Sequence, residues 1–309
     1  MNIVISVIAL CILWIWVIVH HDTSHFVVRT YELASDKLKK DLTVCLISDL
    51  HEKDYGAKNA RLAEAIRNGK PDLILSAGDL ITCHHKAKDC NDEAAVALVR
   101  ALSQDIPFLC GMGNHESKLA TDTDNYGDTY ARYEARISEA GARTLRNETA
   151  RDVCGAVDVT GFEIDPASYR RFSRSCLDEE TLKEAVGVPD PGKYTILIAH
   201  DPRHFKTYAA WGADLTVSGH VHGGIARLPG IGGVIAPSFE LFPHYDAGEY
   251  TLEGNGRHHT MIISCGLGTH TLHVRFNNPG EVCMIKLRGT GAAKAPADLP
   301  GKEEAWHSK

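Results

Sequence analysis

The chain has 309 residues, 44% of them hydrophobic and 24% charged, which supports one large or two modest packed domains and excludes a disordered or fibrous protein. A formal net charge of -7 excludes the basic surface that nucleic acid needs, so no nucleic-acid partner is expected and an anionic ligand must be drawn by a local positive charge. The nine cysteines are scattered, several inside apolar runs such as "LTVCLIS" and "EVCMIKL", and read as buried reduced thiols of a reducing compartment.

In chain order, the first element is "IVISVIALCILWIWVIV" at residues 3–19, an uncharged run about as long as the shortest that crosses a bilayer. Neither a basic stretch before it nor a small-residue cleavage site after it is visible, so residues 1–20 read as a retained single-pass membrane anchor and not as a cleaved signal. Arg29, Lys37, Lys39 and Lys40 follow the run and no Lys or Arg precedes it, which points to a cytoplasmic location for the domain that follows. Residues 21–40 read as a polar linker, 41–289 as the main domain and 290–309 as a disordered tail.

Within the main domain, "LTVCLIS" (42–48), a helix over 57–68, "DLILSAG" (72–78), a helix over 91–103 and "PFLCGMG" (107–113) give the order β-α-β-α-β. Short apolar runs between amphipathic segments are the mark of buried strands in a layered α/β fold. The stretch 117–192 reads as helical and polar. A second strand series follows in "YTILIAH" (194–200), "DLTVSGH" (214–220), "GGVIAPS" (232–238), "TMIISCG" (260–266) and "EVCMIKLR" (281–288). Little helix separates the later members, so a sheet-on-sheet sandwich with flanking helices is expected.

The strand ends carry the chemistry. "SDLH" supplies Asp49 and His51, "AGDL" Asp79, "GNHE" Asn114 and His115, "IAH" His200, and "SGHVH" His220 and His222. One such residue alone would be a cap or a satisfied core histidine, but five clusters at successive strand ends are a site, because α/β folds collect ligands on loops there. His220 and His222 stand two apart in a glycine-rich run, and in an extended segment both rings project to one side. Two divalent ions fit this count. Asp49, His51 and His222 would hold one, Asn114, His200 and His220 the other, and Asp79 would bridge. Two carboxylates and a hydroxide against two dications leave a centre of about +1, which attracts phosphate, and two-metal sites hydrolyse at phosphorus. Manganese is the expected metal, with iron or zinc as alternatives, since imidazole, carboxylate and amide oxygen suit all three.

"DLH", "GDL", "GNHE", "H" and "GHVH", in that order over 42–288, resemble the motifs of the calcineurin-like metallophosphoesterase superfamily. The resemblance implies a four-layer α/β/β/α sandwich with a dinuclear site at one edge, the metal roles above, and His115 as the group that gives a proton or hydrogen bond to the leaving oxygen. "GADLTVSGHVHGG", "RLPGIGG" and "SCGLGT…VRFNNPGEV" look like a branch of membrane-anchored bacterial phosphohydrolases, and some relatives in that neighbourhood cleave the pyrophosphate of UDP-linked diacylglucosamine. The implied function is hydrolysis of a phosphodiester or pyrophosphate, on a lipid-linked or membrane-proximal phosphate ester.

Two departures stand out. Many members follow the bridging Asp with a second carboxylate that orients the catalytic histidine, whereas "GDLIT" offers Thr82 here. Cys83-His84 also stands where the serine/threonine protein phosphatases carry Arg-Gly, which argues against that branch. "CHHKAKDC" (83–90) matches no common zinc spacing and reads as a surface loop, and "SYRRFSRS" (168–175) reads either as a solvated connector or as a lid for an anionic headgroup. A non-catalytic scaffold of the same fold is the alternative function. Such a protein tends to lose ligands or the catalytic histidine, and this sequence keeps them all.

Overall fold

A computed structural model describes residues 2–169, 177–237, 239–254, 257–269, 272–290 and 302–305. One sheet holds β1 (Phe26–Ser35), β2 (Leu42–Ile47), β3 (Leu73–Ser76), β4 (Phe108–Cys110), β5 (Ala142–Thr144) and β14 (Gly280–Gly289), in the order β1-β14-β2-β3-β4-β5. The second holds β6 (Glu148–Val153), β7 (Val157–Phe162), β8 (Tyr194–Ala199), β9 (Leu215–Ser218), β12 (Gly248–Gly254), β13 (Arg257–Ile263) and β15 (Lys302–Ala305), in the order β15-β12-β13-β9-β8-β7-β6. A two-stranded ribbon, β10 (Arg227–Leu228) with β11 (Gly232–Gly233), stands outside both.

The sheets face each other across a shared apolar interior. Val44 and Leu46 of β2, Leu73 and Leu75 of β3 and Ile285 of β14 join Val159, Ile196, Val217 and Ile262 of the second sheet in one buried cluster. Alternate residues project the other way, as the two-residue period of a strand requires. On the first sheet those are Cys45, Ile47, Ile74 and Phe108, covered by α2 (Ala60–Asn68), α3 (Glu93–Leu102), α4 (Asn114–Thr121) and α6 (Thr129–Glu139), with the short α5 (Thr123–Tyr126) alongside. On the second sheet Phe162, Leu197 and Ala199 are covered by α7 (Glu179–Val186) and α8 (Phe205–Trp211). The expected mixed α/β sandwich is therefore present.

Four local readings differ. Residues 21–40 are not a linker: α1 (Asn2–Ser24) runs to within one residue of β1, which pairs in parallel with β14 over ten residues from Phe26↔Gly280 to Ser35↔Gly289. The strand looked polar because it is an edge, with Arg29, Thr30, Glu32 and Ala34 exposed. Within 117–192, β5, β6 and β7 interrupt the helices. β5 is three residues long, and β7 alternates valine with Asp158 and Thr160, whose side chains are met by Arg151 Nη1 at 3.0 Å and Thr149 Oγ1 at 2.9 Å. "GGVIAPS" contributes only β11, while β12, "GEYTLEG", was not expected. In the tail, Lys302–Ala305 pairs with β12 as β15, and 291–301 and 306–309 lie outside the described residues.

All eight described cysteines are free thiols. Only Cys45, Cys110, Cys265 and Cys283 are buried, so burial of the whole set does not hold. α1 is long and apolar enough to cross a membrane, and its side chains from Ile3 to Val17 are exposed.

Candidate metal centre

The parallel strands β2, β3 and β4, together with β8 and β9 across the interior, deliver their C-terminal ends to one place. Asp49 and His51 follow β2, Asp79 follows β3, Asn114 and His115 open α4 after β4, His200 follows β8, and His220 and His222 follow β9. The chain must turn sharply at each point. Asp49, His51, Asp79, His220 and His222 all have positive φ, between 46° and 70°, a left-handed conformation that costs an L-residue about 1–3 kcal/mol. Such strain persists only where the surroundings over-determine it. His220 and His222 therefore do not lie on an extended segment as expected, and their rings go to different neighbours.

Asp49, His51 and His222 bring one ligand atom each to within 4.8 Å of one another, and Asp79, His200 and His220 do the same. Within the first set, His51 Nε2 lies 3.2 Å from His222 Nε2, and His222 Nε2 lies 3.4 Å from Asp49 Oδ1. Within the second, His200 Nε2 lies 3.1 Å from Asp79 Oδ2, and the amide oxygen of Asn114 lies 2.8 Å from His220 Nδ1. The sets adjoin: Asp79 Oδ2 is 3.9 Å from His51 Nε2, and Asp49 Oδ1 is 3.9 Å from His200 Nε2. His115 Nε2 stands 4.0 Å from Asp79 Oδ2, in a third group with His51 and Asp79. All eight residues expected from the sequence are thus brought together. Among the described residues, the groups able to hold a metal take nothing from "CHHKAKDC"; His84 there pairs with Glu52 at 3.1 Å.

The chemistry of the donors fits divalent cations. His200 Nδ1 sits 2.7 Å from the Ala77 carbonyl, so Nδ1–H donates there and Nε2 faces the Asp79 carboxylate. This is the carbonyl-oriented arrangement of metal-ligating histidines. A lone pair so close to a carboxylate needs a cation between them. Burial by itself would depress the pKa of His200, yet Asp79 and Asp49 beside it raise it to about 10, so a proton fills the cation's role when no metal does. Burial together with the positive His200 lowers His220 to about 4, despite nearby carboxylates, leaving a neutral imidazole ready to ligate.

The supporting shell was only partly visible in the sequence. Glu116 is fully buried, and its carboxylate accepts N–H groups from Asp79 at 2.8 Å, Leu80 at 2.8 Å and Gly113 at 3.2 Å, tying the turns after β3 and β4 together. Burial and the Asp79 charge raise its pKa to about 8, opposed by its own backbone N–H and that of Asp79 and by the positive His200. Gly113 and Gly219 are forced choices, since a Cβ at either would run into the Asp79 or the Asp49 carboxylate. Asn278 Nδ2 donates to the His222 carbonyl at 2.7 Å and the Gly224 carbonyl at 2.9 Å, and the buried Arg275 donates to the carbonyls of Cys265 and Gly266. A buried arginine leaves no mark in a sequence, and neither residue was expected to act here.

Thr82 does not face His115. Its Oγ1 lies 3.3 Å from His51 Nδ1, while His115 Nδ1 accepts the Cys83 N–H at 2.8 Å. A neutral His115 ring therefore carries its proton at Nε2, toward Asp79. Tyr169 packs its ring against His220 and His200, with centroids 5.1 and 6.2 Å away. The remainder of "SYRRFSRS", with Arg170, Arg171 and Arg174, lies outside the described residues. A cleft of about 590 Å³ opens from His51, Asn114 and His115 toward Lys118, His84 and His273.

The chain is similar to several known proteins. Among relatives, a metallophosphoesterase of Aquifex aeolicus is 26% identical over 88% of this chain and 95% of its own length. The metallophosphoesterase YkuE of Bacillus subtilis is 28% identical (79% of this chain, 78% of its own), and the phosphodiesterase YaeI of Escherichia coli is 25% identical (79% and 81%). Among solved structures, a 5'-nucleotidase precursor from Thermus thermophilus superposes with a TM-score of 0.46 at 14% identity, over 80% of this chain and 55% of that one, so this chain spans about half of its length. The calcineurin-like phosphoesterase model matches residues 42–224, the span that carries all eight site residues, and the chain belongs to that family.

Proposed function

We propose that the chain is a dinuclear metal-dependent phosphoesterase that hydrolyses a phosphodiester or pyrophosphate bond in a lipid-linked or membrane-proximal substrate, such as a UDP-diacylglucosamine-like molecule. One observation carries the chemistry: the buried donor set Asp49/His51/His222 and the set Asp79/His200/His220, buried but for a half-buried His220, stand side by side, with Asp79 Oδ2 within 4 Å of His51 and of His200. Asn114 completes the second set and Asp79 is shared. Bound there, two divalent cations, manganese before iron or zinc, supply Lewis acidity toward phosphoryl oxygens and lower the pKa of a water. The chain itself supplies orientation. Ala77 and Thr82 fix the rings of His200 and His51, Glu116 fixes the turn of Asp79, and Lys118 brings a positive charge to the wall of the cleft. His115 donates a hydrogen bond from Nε2 to the leaving oxygen, because its Nδ1 already accepts from Cys83. α1 holds the domain at a membrane.

The test is the full-length chain in detergent, stripped with chelator and reloaded with manganese, iron(II) or zinc. It is assayed on bis(4-nitrophenyl) phosphate, 4-nitrophenyl phosphate and a nucleotide-linked lipid diphosphate. Diester or diphosphate should outpace monoester. Hydrolysis of none of them with any metal would leave the non-catalytic scaffold.

A further inference from the structure

We propose that two apolar loops beside α1 enter the bilayer with it, so that the catalytic cleft opens at the lipid surface and receives a phosphate ester embedded in that bilayer. The inference rests on the membrane reading of α1. The first loop is residues 228–243, "LPGIGGVIAPSFELFP", which contain a single charged residue, Glu240. Its Leu228, Ile231, Leu241 and Phe242 are exposed, Ile231 and Leu241 at 60% and 63%. The second loop exposes Leu272 and Val274. The two are joined, since Arg227 N–H donates to the Phe276 carbonyl at 2.9 Å and Phe276 N–H to the Ile225 carbonyl at 3.2 Å. Exposed apolar side chains gathered on two loops bonded to each other mark an interaction site.

Its continuity with α1 identifies the occupant. Phe276 packs edge-on against Trp14, with ring centroids 6.1 Å apart, and Asp22 at the end of the helix accepts the Asn278 N–H at 2.9 Å. The domain therefore lies along the helix from Trp14 to Asp22, about 12 Å at 1.5 Å per residue. The part of α1 beyond it, Ile3–Leu13, is only about 16 Å long, against a hydrocarbon core of about 30 Å. A spanning helix must then use its Trp14–Asp22 half as well, and Phe276, packed against that half, carries with it the first loop bonded to its backbone. The helix cannot pull away, because only His25 separates it from β1 and the His25 carbonyl accepts the Gly280 N–H at 3.2 Å. The second loop also borders the cleft, where Thr269 and His273 line the wall, so burying Leu272 and Val274 brings the mouth to the lipid.

Full-length protein is reconstituted in phosphatidylcholine and phosphatidylglycerol vesicles that contain a phosphatidylcholine with a photoactivatable acyl chain, and adducts are mapped on peptides. Adducts are expected on α1, on 228–242 and on 272–276, but not around Val188, an exposed apolar control beside α7. Adducts on α1 without the loops would overturn the inference and leave the membrane reading standing. Absence of adducts on α1 would remove both. Loop-to-loop cross-links between two copies, without lipid adducts on the loops, would make the surface a dimer contact and overturn it too. The triple variant Leu241→Glu, Phe242→Glu, Leu272→Glu should keep its rate on bis(4-nitrophenyl) phosphate, which reports its folding. Its rate on a vesicle-borne ester should fall about tenfold or more, given the apolar burial removed. An unchanged rate on the vesicle-borne ester would sink the proposal.

Discussion

Asp79 is the side chain on which both donor sets depend, with its Oδ2 beside His200, His51 and His115 and its Oδ1 accepting the His115 N–H at 2.9 Å. Asp79→Asn removes the charge while keeping the shape, so metal content by elemental analysis should fall at both sites and turnover should vanish. Two metals per chain at near-normal rate would refute the shared-ligand reading. His200 gives a pH signature. Its pKa is about 10 in the metal-free protein, above the ordinary imidazole value, so the stabilising proton is fully present below about 6.5 and is lost as pH rises through 10. Metal must displace that proton, so loading between pH 7 and 9 should release it and affinity should climb with pH. Titration calorimetry in buffers of different ionisation enthalpy reads the proton directly; a heat independent of buffer would contradict the assignment. Thr82 and His115 separate cleanly. Thr82→Ala loosens the ring of His51 and should weaken metal affinity about 10–100-fold, as loss of an orienting partner does. His115→Ala should keep the metals and lower kcat by roughly 10²–10⁴, least for acidic leaving groups such as nitrophenol. Equal loss across leaving groups would make His115 a structural residue.

At the scale of elements, the turns around the centre are held from outside, and Asn278 shows how. It closes the glycine-rich turn after β9 through two carbonyls, so Asn278→Ala leaves both acceptors buried and should cost about 1–3 kcal/mol. Denaturant unfolding of the metal-free protein measures that cost, and a change within error would show the turn to be self-supporting. The same contrast explains what the sequence revealed. The site was legible because each ligand follows a strand whose apolar run, such as "DLILSAG" or "YTILIAH", states its own position and its end. β1 and β6 were not, because edge strands expose one side and alternate like loops, and β5 is too short to carry a period. Asn278 and Arg275 were illegible for another reason: their partners are backbone carbonyls far away in sequence, which no local pattern encodes. Thr82 was placed by analogy with a carboxylate, and the shorter hydroxyl meets the nearer His51 instead.

For the whole molecule, the decisive feature is the junction between helix and sheet. A flexible tether would let the cleft sample a wide volume and reach other membranes, as chains of Gly and Ser do. Here α1 ends at Ser24, β1 starts at Phe26, and β1 is bound along its full length to β14, one strand away from β2 and the Asp49 turn. Helix, sheet and metal centre are one mechanical unit. With α1 in a bilayer, the cleft has a fixed height and tilt above that surface. Protein reconstituted in one vesicle population should therefore hydrolyse a phosphate ester carried in the same vesicles and spare one supplied in separate, non-fusing vesicles. Surface dilution with inert phospholipid should slow the reaction at constant bulk concentration. Inserting a ten-residue Gly-Ser segment between Ser24 and Phe26 should relax this restriction, raising hydrolysis in separate vesicles while lowering it in the same ones. Equal rates on both populations with the unmodified chain would show that the domain works free of the surface to which its helix is attached.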